Sequence, residues 1–284
     1  MRLRLAAAVL LSAYAPTLSP PPGAPSSGSQ AVRTDTVRSD WAQFFEAEGG
    51  AGTFVLYDVA SGQTARLEPE RAARRYLPAS TFKVYNALVA LETGVVRDPD
   101  SLVVWDGQIR DVEAWNRDHS LRTGMAVSTV WLYQRVARDV GRARYLDAFA
   151  REPYGTNAIG PDVDLFWLDN SLQISADEQV AFMEGLRRSA LAFRPDVQAT
   201  VRDLLPVLVE SPEARLVAKT GWGGFDAAPG VRTPLGWLVG WVEREDGRVA
   251  VFSLNVEPAR DGFEMGPARL RIARTLLAAE GWLD

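Results

Sequence analysis

Ser80 and Lys83 stand three residues apart at the head of an apolar stripe, and their types suit a nucleophile and its base. Pro78 favours a helix start and Gly94 a helix end, and Ser80, Lys83, Val84, Ala87, Leu88 and Leu91 recur at helical spacing between them. A hydroxyl attacks only when something accepts its proton, and a lysine accepts one only if it is held neutral. Desolvation along such a stripe lowers a lysine toward neutrality. The composition sharpens the pairing. The 31 basic residues divide into 29 Arg and two Lys, Lys83 and Lys219. Arg is never neutral and cannot serve as a base, whereas a buried Lys can. The second lysine opens Lys219-Thr220-Gly221, so both lysines of the chain lie in candidate chemical motifs.

The rest of the composition narrows the chemistry. There are no cysteines and one histidine, His119. Thiol catalysis is excluded, as are zinc sites built from Cys and His clusters and any Ser-His-Asp mechanism that does not use His119, which has no neighbour suited to make it a ligand or base. No metal is expected. A net charge of −5 gives no basic surface for nucleic acid. With 284 residues, 47% of them hydrophobic, the chain can bury a large core as one or two domains.

These groups need elements to carry them. Arg2 and Arg4, the apolar run Leu5 to Leu11 and Ala13-Tyr14-Ala15 have the parts of an export signal over residues 1–15, too short to span a bilayer. Residues 16–39, rich in Pro, Ser and Gly at their start, read as a disordered linker, and 40–284 as the folded domain, periplasmic or secreted. Thr53 to Tyr57 and Gln63 to Leu67 read as strands about an Ala60-Ser61-Gly62 turn. Residues 80–212 are mainly helical, with Val130, Tyr133, Val136, Ala137 and Val140 on one stripe. Arg215 to Thr220, Gly236 to Glu243 and Arg248 to Val256 return to strand, the last two joined by Asp246-Gly247, and Pro267 to Ala279 closes as a helix. The expected fold is α/β of the α+β type: one antiparallel sheet from both chain ends, flanked by helices, with a mainly helical lobe and the reactive groups between them.

Pro78-Ala79-Ser80-Thr81-Phe82-Lys83, Ser128-Thr129-Val130, Tyr154-Gly155, Lys219-Thr220-Gly221 and Trp237-Leu238-Val239-Gly240-Trp241 follow one another in an order and spacing that resembles the class D serine β-lactamases. Trp105-Asp106-Gly107-Gln108, Trp115-Asn116-Arg117-Asp118-His119, Phe166-Trp167-Leu168 and Ile174-Ser175-Ala176 fit the same family, and the resemblance spans about residues 40–282. It implies a serine β-lactamase/penicillin-binding transpeptidase-like fold and a β-lactam substrate. Ser80 would be acylated, and Lys83 would carry a carbamate formed from carbon dioxide or bicarbonate. Trp167 would donate its indole N–H to that group, with Val130 and Leu168 walling it from water. Ser128 would relay a proton to the departing nitrogen. Lys219, Thr220 and Arg269 would hold the substrate carboxylate beside Gly221, and the backbone N–H groups of Ser80 and Trp222 would form an oxyanion hole.

The third family motif usually reads Y-G-N, whereas here Asn157 comes one place late, after Thr156. Two other readings share the site: a β-lactam sensor that stays acylated, and a penicillin-binding carboxypeptidase or transpeptidase. Sensors are usually tethered by membrane helices, and none follows the signal here. The missing S-x-N amide weighs against the peptidase. The sequence leaves oligomeric state and preference among penicillins, cephalosporins and carbapenems open.

Overall fold

A computed structural model describes residues 35–228 and 231–284. Strands are β1 (Asp35–Val37), β2 (Gly50–Asp58), β3 (Thr64–Arg66), β4 (Val207–Glu210), β5 (Ala214–Ala228), β6 (Val231–Arg244) and β7 (Val249–Pro258). Helices are α1 (Ala42–Glu48), α2 (Pro69–Ala73), α3 (Lys83–Glu92), α4 (Leu121–Ala126), α5 (Val130–Val140), α6 (Arg142–Arg151), α7 (Ala176–Arg187), α8 (Pro195–Leu204) and α9 (Met265–Ala279). The strands form one sheet in the order β1-β3-β2-β7-β6-β5-β4, so both ends of the described chain contribute, as expected.

Two expectations need correction. The sheet is not wholly antiparallel, because β1 pairs in parallel with β3. The chain between them, through α1 and β2, is long enough to return the second strand in the same direction. Residues 35–39 are therefore not linker: Asp35–Val37 is this edge strand, and Ser39 opens a short 3-10 turn. The expected signal segment and the remainder of the expected linker lie outside the described residues. Among the described residues no helix is long and apolar enough to cross a membrane.

Strand alternation sorts the side chains into two cores. On β5 to β7, Leu216, Ala218, Leu238, Val242, Phe252 and Leu254 face a core that includes Trp41, Phe45, Ile272 and Leu276 from the Trp41–α1 segment and α9. Val217, Trp237, Val239, Trp241 and Val251 face the helical lobe. The period of two then puts Lys219 on the helical-lobe face with Val217. That register, rather than any local signal, brings the second lysine to the same side of the sheet as α3.

Gly94 takes a left-handed φ of +70° just beyond α3, the conformation a helix-ending glycine permits. Gly247 does the same at +83° in the β6–β7 turn, where Asp246 Oδ1 accepts from the Arg248 N–H.

Candidate active site

The first turn before α3 is not α-helical: Ala79–Phe82 is a 3-10 turn. In that geometry residues three apart eclipse one another. Ser80 in that turn and Lys83 at the start of α3 meet side by side, with Nζ and Oγ 2.6 Å apart. Both are buried, Lys83 at 1% exposure. Burial pushes the Lys83 ammonium down from 10.5 to about 7. Its Nζ also lies 5.6 Å from the centre of the Tyr133 ring, a neighbour that periodicity identified only as core. Among the described residues the Ser80 hydroxyl meets only Lys83 Nζ, so it is not consumed in holding the turn.

Ala79 holds a φ of +48°, costly for a residue with a Cβ by roughly 1–2 kcal/mol. Its surroundings keep it there. The Ala79 N–H donates to Trp167 O over 3.1 Å, and the Thr81 N–H to Pro78 O over 3.2 Å. The N–H of Ser80, between them, has no backbone partner of this kind among the described residues. On the far side β5 presses in: a Cβ at Gly221 would lie 3.0 Å from Pro78 O, and one at Gly223 would lie 3.3 Å from Ala79 Cβ. The glycine of Lys219-Thr220-Gly221 thus lets the strand approach the turn that carries Ser80.

Lys219 lies at 1% exposure on β5. Its Nζ donates to Ser128 Oγ at 2.9 Å and to Thr220 O at 3.0 Å, with Thr220 Oγ1 at 3.4 Å. Burial, then the nearby charges of Lys83 and Arg269, push its ammonium well below the usual lysine range. Ser128 has φ +59° and does not cap α5, since Thr129 is the N-cap residue and makes no side-chain cap bond. Arg269, near the start of α9, is not a solvated surface charge. It donates through Nη1 to Gly221 O, its Nε is buried without a partner among the described residues, and burial lowers the guanidinium to about 10. None of these three cations forms an ion pair with a carboxylate among the described residues. Buried basic groups without an acid are costly unless an anion joins them.

Trp167 is 1% exposed and stacks on Phe82 at 5.3 Å, yet its indole N–H is buried with no acceptor among the described residues. Leu168 and Val130 are half-buried; Leu168 O accepts from Arg232, and Val130 opens α5. The Trp222 side chain is 59% exposed and, with Gly223, Gly224, Arg232 and Pro234, lines an open cavity of about 470 Å³. His119 is structural, its ring nitrogens meeting Thr123 Oγ1 and Ala114 O. In the altered third motif Asn157 Oδ1 accepts from the Tyr154 N–H, while Thr156 exchanges bonds with Gln173 through its own N–H and Oγ1. The displaced amide still ties the loop to Tyr154.

Sequence comparison places this arrangement among known proteins. Residues 52–278 match the family described as the penicillin binding protein transpeptidase domain. Beta-lactamase OXA-11 of Pseudomonas aeruginosa is 37% identical over 248 residues, covering 87% of this chain and 90% of that protein. The chain belongs to the class D β-lactamases. Beta-lactamase OXA-48 of Klebsiella pneumoniae is also 37% identical, over 80% of this chain and 84% of its own. Among solved structures, the class D β-lactamase FUS-1 (OXA-85) of Fusobacterium nucleatum subsp. polymorphum aligns with a TM-score of 0.79 at 33% identity, covering 87% of this chain and 99% of that one. The C-terminal domain of the Bacillus licheniformis BlaR penicillin-receptor aligns as well, with a TM-score of 0.81 at 28% identity over 89% and 99%. A class D fold therefore houses receptors as well as hydrolases, and the site chemistry must separate them.

Proposed function

We propose that this chain hydrolyses β-lactams through an ester on Ser80, and the observation that carries the reading is the 2.6 Å contact between Ser80 Oγ and the buried Nζ of Lys83. Ser80 Oγ attacks the lactam carbonyl carbon as its proton passes to the base at position 83. The N–H groups of Ser80 and Trp222 receive the developing oxyanion, where losing one donor typically costs about 3 kcal/mol. The C–N bond breaks, Ser128 gives its proton to the departing nitrogen, and Lys219 beside it can replenish that proton. Lys219, Thr220 and Arg269 hold the substrate carboxylate, which supplies the anion their burial calls for. Water then attacks the ester carbonyl, its proton goes to the base, and Ser80 is released; one water is consumed in all.

The unpartnered N–H of Trp167 fits a carbamate on Lys83, an anion that would otherwise be expelled from an apolar pocket. When present, that group supplies a carboxylate-like general base. Val130 and Leu168 limit the water that reaches it. Residues 1–15 would direct the enzyme to the periplasm or the medium, which N-terminal sequencing of the mature protein tests.

Steady-state hydrolysis of nitrocefin, with intact-mass trapping of penicillin, tests the reading. Turnover with a mass shift at Ser80 is expected, and Ser80→Ala should fold yet lose both. One equivalent of stable ester without turnover would instead favour the sensor reading that the likeness to the BlaR receptor domain keeps open. Cleavage of peptidoglycan peptides without β-lactam turnover would favour the peptidase.

A further inference from the structure

We propose that a buried hydrogen-bond chain running from Tyr154 through Gln179 and Thr81 to the carbonyl of Pro78 positions the Ser80 nucleophile. The inference rests on the acylation of Ser80 proposed above.

The chain is continuous and runs in one direction. Tyr154 OH donates to Gln179 Oε1 at 3.3 Å. Gln179 Nε2 donates to Thr81 Oγ1 at 2.8 Å, and the Thr81 hydroxyl donates to Pro78 O at 2.8 Å. Gln179 and Thr81 are fully buried and Tyr154 is 1% exposed. No water competes with such a chain, so each member polarises the next, and removing one leaves its neighbour unsatisfied.

Its end point gives the chain a function. Pro78 O belongs to the peptide that leads into Ala79, whose left-handed φ of +48° sets the direction in which Ser80 leaves the turn. A non-glycine residue keeps such a conformation only where its surroundings over-determine it. Three contacts do so here. Gly221 and Gly223 of β5 close one side, Trp167 O holds the Ala79 N–H, and Thr81 grips Pro78 O through both its N–H and its hydroxyl. Thr81 is itself held by Gln179 on α7. The start of α7 is fixed by a capping box in which Ser175 and Glu178 bond each other's backbone N–H. Gln179 therefore connects a well-anchored helix and the third motif to the strained turn. If the chain is cut, the Pro78–Ala79 peptide can relax, and Ser80 Oγ then moves off the Lys83 amine. The change falls on the geometry of attack.

Thr81→Val removes the hydroxyl and keeps the shape, Thr81→Ser keeps the hydroxyl, and Tyr154→Phe removes only the distal member. The acylation rate constant with nitrocefin should be read in the pre-steady state, well below each variant's melting temperature. Misplacing a reacting group costs about ten- to a hundredfold, so Thr81→Val should acylate slower by that factor, Thr81→Ser should stay within about threefold of the parent, and Tyr154→Phe should lose about three- to tenfold. Because all act on one chain, the double variant should be no slower than Thr81→Val alone. A Thr81→Val variant that melts lower yet acylates within about twofold of the parent would overturn the proposal, as would unimpaired acylation by Tyr154→Phe if Thr81→Val does not fold. Failure of the parent to label at Ser80 would instead overturn the hydrolytic reading, so the two failures are distinguishable.

Discussion

Lys219 Nζ donates to Ser128 Oγ across 2.9 Å, joining β5 to the residue just before the α5 N-cap, 91 positions away in sequence. The hydroxyl of Ser128 accepts from the lysine and so keeps its own proton free for another acceptor. Lys219, weakened as an ammonium by burial and by its cationic neighbours, is suited to give that hydroxyl a proton in return.

Ser128→Ala should therefore impair opening of the lactam rather than binding. Loss of a positioned proton donor typically costs about 10²–10⁴ in rate, so acylation by benzylpenicillin should fall by at least about a hundredfold. Hydrolysis of an ester already formed on Ser80 should change far less. Single-turnover kinetics resolve the two steps, and equal losses in both would remove Ser128 from the proton path.

Arg269 offers a test of carboxylate binding. Its Nη1 donates to Gly221 O, and its buried Nε has no partner among the described residues. Arg269→Ala should raise KM for penicillins by about tenfold or more while changing kcat less, the pattern of uniform ground- and transition-state binding. Arg269→Lys should recover little, because an ammonium cannot present the planar fork. Unchanged KM in both variants would show that Lys219 and Thr220 suffice.

Burial of Lys83 has a consequence for stability that can be read without substrate. Its folded value of about 7 lies below the ordinary 10.5, so between those pH values the unfolded chain binds the extra proton. Stability from this site therefore rises with pH through that window and is lowest below about pH 7. In carbon dioxide-free buffer, Lys83→Met should be more stable than the parent at pH 6. The gap should shrink by roughly 3–5 kcal/mol as the pH approaches 10. Denaturant unfolding at the two pH values measures it, and a gap that does not move would mean Lys83 ionises as an exposed lysine does.

The pairing of Ser80 with Lys83 was legible because this chain uses lysine twice in 31 basic residues, which turns an otherwise common S-x-x-K into a specific signal. The central strands, α3 and α5 were legible from their periods, and Gly94 and Gly247 from their turn chemistry, but β4 lies in the stretch read as mainly helical and β5 and β6 extend beyond the expected strands. What sequence could not give depends on contacts between distant segments. Thr81 and Gln179 lie 98 residues apart, and nothing local marks Gln179 as the partner of a hydroxyl on the turn that carries Ser80. The left-handed Ala79 is likewise imposed by β5 and Trp167 O, against the intrinsic preference of alanine. Strand β1 escaped because Asp35-Thr36-Val37 has no alternation to read: all three side chains are exposed, and the strand exists only through its pairing with β3.

The unpartnered indole of Trp167 leads to the most discriminating prediction. A buried N–H without an acceptor costs about 1–3 kcal/mol, and Trp167→Phe removes it while retaining an aromatic ring against Phe82. If that N–H serves only packing, the variant should be equally active. If it holds a carbamate on Lys83, the variant should still acylate but release product slowly, and the parent should depend on dissolved carbon dioxide. A lysine near 7 is about half neutral at neutral pH, so the amine is available to react with carbon dioxide, whereas at 10.4 only about one in 2,500 would be. Turnover of the parent should fall in degassed, mildly acidic buffer and recover on adding bicarbonate. Trp167→Phe should need far more bicarbonate for the same recovery. Bicarbonate-independent turnover in rigorously degassed buffer, together with full activity of Trp167→Phe, would show that the neutral amine of Lys83 is the base throughout.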